Sequence, residues 1–127
     1  MIPEDLKYSK NHEWISVTGN TGTVGITDHA QSALGDITFV EMPVDGKEVA
    51  EGDEVCSIES AKAASPIYAP IGGVIMEGNT EVESAPNLVN ESPYGEGWIY
   101  KIHVTDLDEL ETLMNADEYD QFLDRGE

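Results

Sequence analysis

The chain has 127 residues, 39% of them hydrophobic, and its 26 acidic against 6 basic side chains give a formal net charge of −20. This length suits one domain with its own core, and no apolar run is long enough to cross a bilayer. Because so acidic a surface repels phosphate groups, we exclude nucleic acid and anionic membranes as partners. The N-terminus shows no basic and then apolar signal pattern, which indicates a soluble cytoplasmic protein, and we expect it to be a monomer.

The cysteine and histidine residues limit which disulfides, nucleophiles and metal sites the chain could contain. Cys56 is the only cysteine, so no internal disulfide can form, and its place in an apolar strand pattern favours a small core residue. The alternative is an enzyme with Cys56 as its nucleophile, which would need an exposed thiol beside a base, and the sequence shows no such partner pattern. The three histidines have no companions at metal-ligand spacing, so we predict no metal site.

The acidic residues are spread over the whole chain, whereas lysine is scarce. Such a chain repels itself, and this repulsion weakens in concentrated salt because the Debye length falls to roughly 3 Å at about 1 M. We interpret the composition as an adaptation to high internal salt, as in a halophile. The alternative interpretation is an acidic docking face for a basic partner.

Alternating hydrophobic residues between turn signals predict strands for most of the chain. In chain order, we expect a strand ending at 17, then 23–26, 36–42, a short one within 44–53, both arms of 54–70, one from 74, and 98–104. Residues 80–94 are irregular and predict a loop with a single helical turn around Leu88. Many short strands with frequent turns indicate a mainly β fold in one domain, residues 1–127, that is, a barrel-sandwich hybrid or flattened β-sandwich.

Two helices complete the predicted fold. A short one near 27–35 would begin at an N-cap, Thr27, and end at Gly35, and a C-terminal one near 106–124 would be capped by Thr105 or Asp106. The face of the first helix expected to pack on the sheet consists of Ala30, Ala33 and Leu34. The inward residues expected in the second, which Asn115 interrupts, are Leu107, Leu110, Leu113, Met114, Tyr119, Phe122 and Leu123.

The segment 54–70 is the centre of the functional argument. It predicts a hairpin with one lysine, Lys62, at its turn, and Ala61 and Ala63 leave the approach to that lysine open. A lysine at a hairpin tip holds a primary amine on a flexible stem clear of the surface, which is the geometry that an acylating enzyme needs. From the turn alone, an ordinary solvated lysine fits equally well.

The flanks of Lys62 favour the first interpretation. A Gly52-Asp53 turn precedes the hairpin and Ala69-Pro70 and Gly73 follow it, a spacing that resembles the biotinyl/lipoyl attachment domain. Longer motifs, over about residues 6–122, resemble the glycine cleavage system H-protein family. These motifs lie at 11–14, 25–31, 34–36, 59–65 and 90–98.

This resemblance implies a carrier and not a catalyst. It implies lipoate in amide linkage on Lys62, loaded with a methylamine group by glycine decarboxylase (P protein) as CO2 leaves. The aminomethyltransferase (T protein) would take the methylene to tetrahydrofolate and release ammonia, and dihydrolipoamide dehydrogenase (L protein) would reoxidise the dithiol. A lipoylating enzyme would be the fourth partner.

The resemblance also implies a surface cleft that shelters the loaded arm from water. Glu13 would be the carboxylate neighbour of the amine, and His29 would line the same cleft. Two positions depart from the family pattern: Asn11 stands where the family has a serine, and Pro66 stands where it has an aspartate. Losing that aspartate removes one possible counter-charge for the amine.

Glu59, three residues before Lys62, is implied to be recognised by the lipoylating enzyme and to bias against biotinylation. A biotin carrier would usually place methionines beside the lysine, where this chain has Ala61 and Ala63. A lipoyl domain of a 2-oxoacid dehydrogenase would usually have aspartate at position 61 and a long linker. A relay protein that donates lipoate to other carriers without glycine cleavage is an alternative that the sequence separates poorly.

The spread of acidic residues predicts that the stability of the chain depends on salt. If the acidic surface is an adaptation to salt, the melting temperature should rise with salt concentration, because screening weakens the self-repulsion of the folded chain. Thermal melts across a salt series would measure this, and a melting temperature indifferent to salt would exclude the halophilic interpretation.

Overall fold

The computed structural model describes residues 2–126, and its strands form two antiparallel sheets that enclose the main core. The larger sheet contains β1 (Lys7–Tyr8), β2 (Glu13–Thr18), β3 (Thr21–Ile26), β5 (Glu48–Val49), β8 (Gly73–Gly78) and β9 (Tyr100–Val104). The smaller sheet contains β4 (Ile37–Val40), β6 (Glu54–Ser60) and β7 (Ala64–Tyr68). Their spatial orders are β1-β2-β3-β9-β8-β5 and β4-β6-β7. The predicted mainly β, flattened sandwich is therefore confirmed.

The first helix, α1 (Asp28–Leu34), is confirmed together with its predicted cap, because the Thr27 hydroxyl accepts a hydrogen bond from the Ala30 amide at 3.3 Å. Gly35 ends the helix with φ of 80°, a conformation that a side chain would strain. Ala30 and Leu34 pack against the core as expected, but Ala33 is exposed. With only seven residues, the helix presents too narrow a face to bury all three.

Residues 80–94 differ from the prediction, since they contain two short helices, α2 (Thr80–Ser84) and α3 (Leu88–Glu91). The sequence predicted only the second. The α2 helix forms because the Asn79 side chain accepts from the Glu81 amide, and because the buried Val82 anchors the turn in the core.

The predicted C-terminal helix is divided into a 3-10 helix (Leu107–Thr112) and α4 (Ala116–Asp124). Between them, Met114 forms a two-way backbone bridge with Tyr8, with N···O distances of 2.8 and 2.9 Å. A residue that pairs as a strand cannot continue a helix, so α4 restarts at Asn115 with a capping box to Glu118. Asp106 caps the 3-10 helix, as predicted.

Helix α4 covers a second hydrophobic cluster, separate from the main core, in which Tyr119 is fully buried. Its ring stacks on Tyr8 with centroids 4.7 Å apart. Its hydroxyl lies 2.8 Å from the Thr27 hydroxyl and 2.8 Å from His12 Nδ1. The C-terminal helix is therefore tied to the start of α1 and to the β1–β2 turn by one phenol group.

Tyr119→Phe should lower the free energy of unfolding by about 1–2 kcal/mol, because it leaves the buried Thr27 hydroxyl and the half-buried His12 ring without their shared hydrogen-bond partner. Urea unfolding would measure this. The matched control is Tyr68→Phe, whose hydroxyl makes no hydrogen bond within residues 2–126. Equal effects of the two substitutions would contradict this account.

Candidate functional site

The tip of the β6–β7 hairpin is the turn 61–63, and Ser60 holds it together. The Ser60 amide donates to the Ala63 carbonyl at 2.7 Å, and its hydroxyl accepts from the Lys62 and Ala63 amides at 3.4 and 3.2 Å. A side chain that caps its own turn in this way fixes the backbone without occupying space above it. The turn is therefore ordered although Ala61, Lys62 and Ala63 are all exposed.

The tip rests against the loop that joins α1 to β4. The Ala61 amide donates to the Asp36 carbonyl at 3.3 Å. The Lys62 stem lies over Gly35, since a Cβ atom added there would be 3.4 Å from Lys62 Cε and 3.8 Å from Nζ. Within residues 2–126 the Lys62 amine makes no ion pair. The backbone of the tip is thus tied down while the amine stays available to solvent and to reagents.

Glu59 is exposed and lies opposite Phe39 across the β4–β6 pair. The Phe39 ring is itself 48% exposed. Because alternate residues of β6 face opposite sides, Ile58 enters the core and Glu59 faces solvent. The carboxylate that precedes Lys62 is therefore presented on the same hairpin with nothing in the described chain covering it.

Glu13, at the start of β2, is buried with 1% exposure. Its carboxylate accepts from the Ser9 hydroxyl at 2.7 Å and from the Tyr68 amide at 3.0 Å. Burial raises the pKa of Glu13, and the two hydrogen bonds only partly oppose this effect. The carboxylate therefore joins the larger sheet to Tyr68, the last residue of β7. A positive charge nearby would stabilise its ionised form.

A cavity of about 430 Å³ adjoins this carboxylate, and Asn11 and Glu13 both line it. Lys62, His29 and Pro66 are outside its lining. The remaining lining residues are Tyr8, Ser9, Lys10, Glu51, Gly52, Ala69, Pro70, Thr112, Leu113 and Met114. The structure therefore brings two of the four predicted cleft residues together.

The other two predicted cleft residues lie elsewhere. His29 is exposed in the first turn of α1, with its ring centroid 4.7 Å from that of His12. Pro66 lies opposite Ser57 in β7, an edge strand of the smaller sheet, where the missing amide is tolerated. The roles implied for His29 and Pro66 stay predictions, because neither side chain meets Glu13 in one cavity.

Two polar residues near the site were not assigned a role from the sequence. Ser9 lies four residues before Glu13 across a turn, and this spacing could have predicted their side-chain hydrogen bond. Asn90 gave no local signal, because its hydrogen-bond partners lie 53 to 59 residues away in the chain.

Cys56 is buried, as predicted for a core residue, and burial raises the pKa of its thiol to about 12. This thiol is protonated at neutral pH, so the nucleophile interpretation has no support. Within residues 2–126 there is no group of three or more histidine, cysteine or acidic residues arranged to hold a metal ion. In the same residues, every helix is too short or too polar to span a bilayer.

Comparison with known proteins gives a consistent result over nearly the whole chain. The family model described as glycine cleavage H-protein matches residues 6–126. The glycine cleavage system H protein of Carboxydothermus hydrogenoformans is 49% identical over 124 residues, which are 98% of this chain and 95% of that protein. That of Staphylococcus saprophyticus is 49% identical over 122 residues, or 96% and 97%. The crystal structure of a glycine cleavage system H protein from Mycobacterium marinum superposes with a TM-score of 0.86 at 38% identity, covering 94% of this chain and 97% of that one.

Glu13→Gln should keep both hydrogen bonds, because an amide can accept from the Tyr68 amide and donate to the Ser9 hydroxyl. Since the pKa of Glu13 is raised above its ordinary value of 4.5, the folded protein binds this proton more tightly than the unfolded chain does. The wild-type protein should therefore lose stability relative to E13Q as the pH rises from 4.5 through the raised pKa.

Urea unfolding of both proteins from acidic to neutral pH would test this. Glu77→Gln, which removes one exposed carboxylate from β8, controls for the change in net charge. A stability difference between wild type and E13Q that is constant with pH would contradict the raised pKa.

Proposed function

Because this chain belongs to the glycine cleavage H-protein family, a family of lipoyl carriers, we propose that it carries lipoate in amide linkage on Lys62. In this role it shuttles the methylamine group of glycine from the decarboxylase (P protein) to the aminomethyltransferase (T protein). Dihydrolipoamide dehydrogenase (L protein) reoxidises it, and a lipoylating enzyme modifies it. The chain is a substrate of these enzymes and performs no catalytic step itself.

The observation that carries this proposal is the Lys62 amine, exposed at the tip of a hairpin whose backbone is fixed. The residues present fit the group, since an amide bond needs a free primary amine that an enzyme can reach. Gly35, with no side chain, leaves room along the lysine stem. Glu59 is exposed three residues before Lys62, and we propose that the lipoylating enzyme recognises it.

Bound lipoate would supply a strained disulfide that is readily opened and resealed. The chain supplies the tether: a lysine stem plus the acyl chain reaches on the order of 14 Å from ordinary covalent geometry. Because the tether confines the reactive end near the hairpin, it raises the effective concentration at whichever enzyme is docked. A fixed tip makes this confinement effective, because no loop motion is added to the motion of the arm.

We propose the cavity beside Glu13 as the shelter for the cationic amine. A positive charge near a buried carboxylate favours its ionised form, so the amine would offset the desolvation that raises the pKa of Glu13. Ser9 and Tyr68 fix both carboxylate oxygens in place before the charge arrives. Asn11, at the same cavity, offers an amide where the family has a serine.

Lys62→Arg should abolish both lipoylation and glycine-dependent CO2 exchange in the presence of P protein, because a guanidinium cannot form the amide. Lys47→Arg, at another exposed lysine, is the matched control and should behave as wild type. Intact mass would report lipoylation, and isotope exchange between CO2 and glycine would report function.

Undiminished exchange with K62R would contradict the proposal. A wild-type chain that is lipoylated and passes lipoate to other carriers, yet supports no exchange, would instead identify the relay function.

A further inference from the structure

Asn90, in α3, makes three hydrogen bonds to a single stretch of chain. Its side-chain amide donates to the Gly35 carbonyl at 2.8 Å and to the Gln31 side chain at 2.8 Å, and its carbonyl accepts from the Ile37 amide at 2.9 Å. Both donors and the acceptor are thus used, so the orientation of the side chain is fixed by its partners. No other residue type of this size combines two N–H donors with a carbonyl acceptor on one side chain.

The clamped stretch is the one against which the lysine tip rests. Asp36, between the two clamped residues Gly35 and Ile37, accepts the hydrogen bond from the Ala61 amide. Within residues 2–126 this is the only hydrogen bond between the turn 61–63 and a residue outside the β6–β7 hairpin. Gly35 also underlies the Lys62 stem.

We propose that Asn90 is a positioning residue for Lys62, acting through the segment 35–37. This inference rests on the proposed function, because it concerns how the amine is presented to the lipoylating enzyme. Without the clamp, the carbonyl of Asp36 is held only through the pairing of its neighbour Ile37 with Ser60, and the one tie of the tip outside the hairpin weakens. The enzyme must then order the tip on binding, which weakens binding rather than the chemical step.

The variant Asn90→Ala tests this, with Asn87→Ala as its matched control. Asn87 lies just before α3 and is exposed, and its side chain bonds only that of Glu91, so an alanine there leaves its backbone hydrogen bonds in place. In the unmodified protein, the Ala61 amide of Asn90→Ala should exchange its hydrogen about tenfold faster than in wild type, while the amides of β9 do not change. The kcat/KM for lipoylation by a lipoate ligase with ATP and lipoate should fall about tenfold, mainly through a higher KM.

The control should match wild type in both measurements. Asn90→Asp keeps the acceptor for the Ile37 amide and removes both donors, so it replaces Asn90→Ala if that variant does not fold. Wild-type exchange at Ala61, or a wild-type KM, in a folded Asn90 variant would overturn the positioning role. If wild type itself takes up no lipoate, the proposed function fails, and the Ala61 exchange rates still decide whether Asn90 positions the tip.

Discussion

The hydrogen bond from the Ala61 amide to the Asp36 carbonyl is, within residues 2–126, the one bond that ties the turn bearing Lys62 to the chain outside its hairpin. A hairpin of two strands is marginally stable alone, and an exposed tip would ordinarily be its most mobile part. Here β4 pairs with β6 up to Ser60, and the Asp36 bond extends this support by one residue into the turn. Lys62 is the next residue, so the backbone is hydrogen-bonded to its neighbours up to the residue that precedes the lysine.

The buried carboxylate of Glu13 serves the other end of the same hairpin. Its bond to the Tyr68 amide fixes the residue that ends β7, and its bond to Ser9 fixes the β1–β2 turn. Ser9 also lines the cavity beside Glu13. An isolated buried charge would be costly, and its two hydrogen bonds reduce that cost without removing it. A buried carboxylate whose desolvation is only partly offset would be stabilised further by a bound cation.

The sequence was sufficient for the parts of this structure that depend on local patterns. Turn residues at regular spacing predicted the hairpin around Lys62, and Thr27 and Gly35 predicted both ends of α1, because caps and turns are decided by neighbouring residues. The break in the C-terminal helix was not predictable in the same way. It follows from the bridge between Met114 and Tyr8, whose partners are distant in the sequence.

The same distinction applies to the site. Lys62 and Glu59 could be singled out from the sequence because they lie on one hairpin, whereas Asn90 hydrogen-bonds a segment more than fifty residues earlier. A sequence motif identifies a residue but does not show which way its side chain points. Asn11 and Glu13 line one cavity, whereas His29 packs against His12. The departure at Pro66 is tolerated by the fold because β7 is an edge strand.

The central claim is that one amine of this chain is built to be acylated. The most direct test is to incubate the folded protein with lipoate, ATP and a lipoate ligase, and then to map the modified residue by tandem mass spectrometry. This account predicts one lipoyl group per chain, on Lys62, with Lys7, Lys10, Lys47 and Lys101 unmodified. Modification spread over several lysines, or none at all, would contradict it.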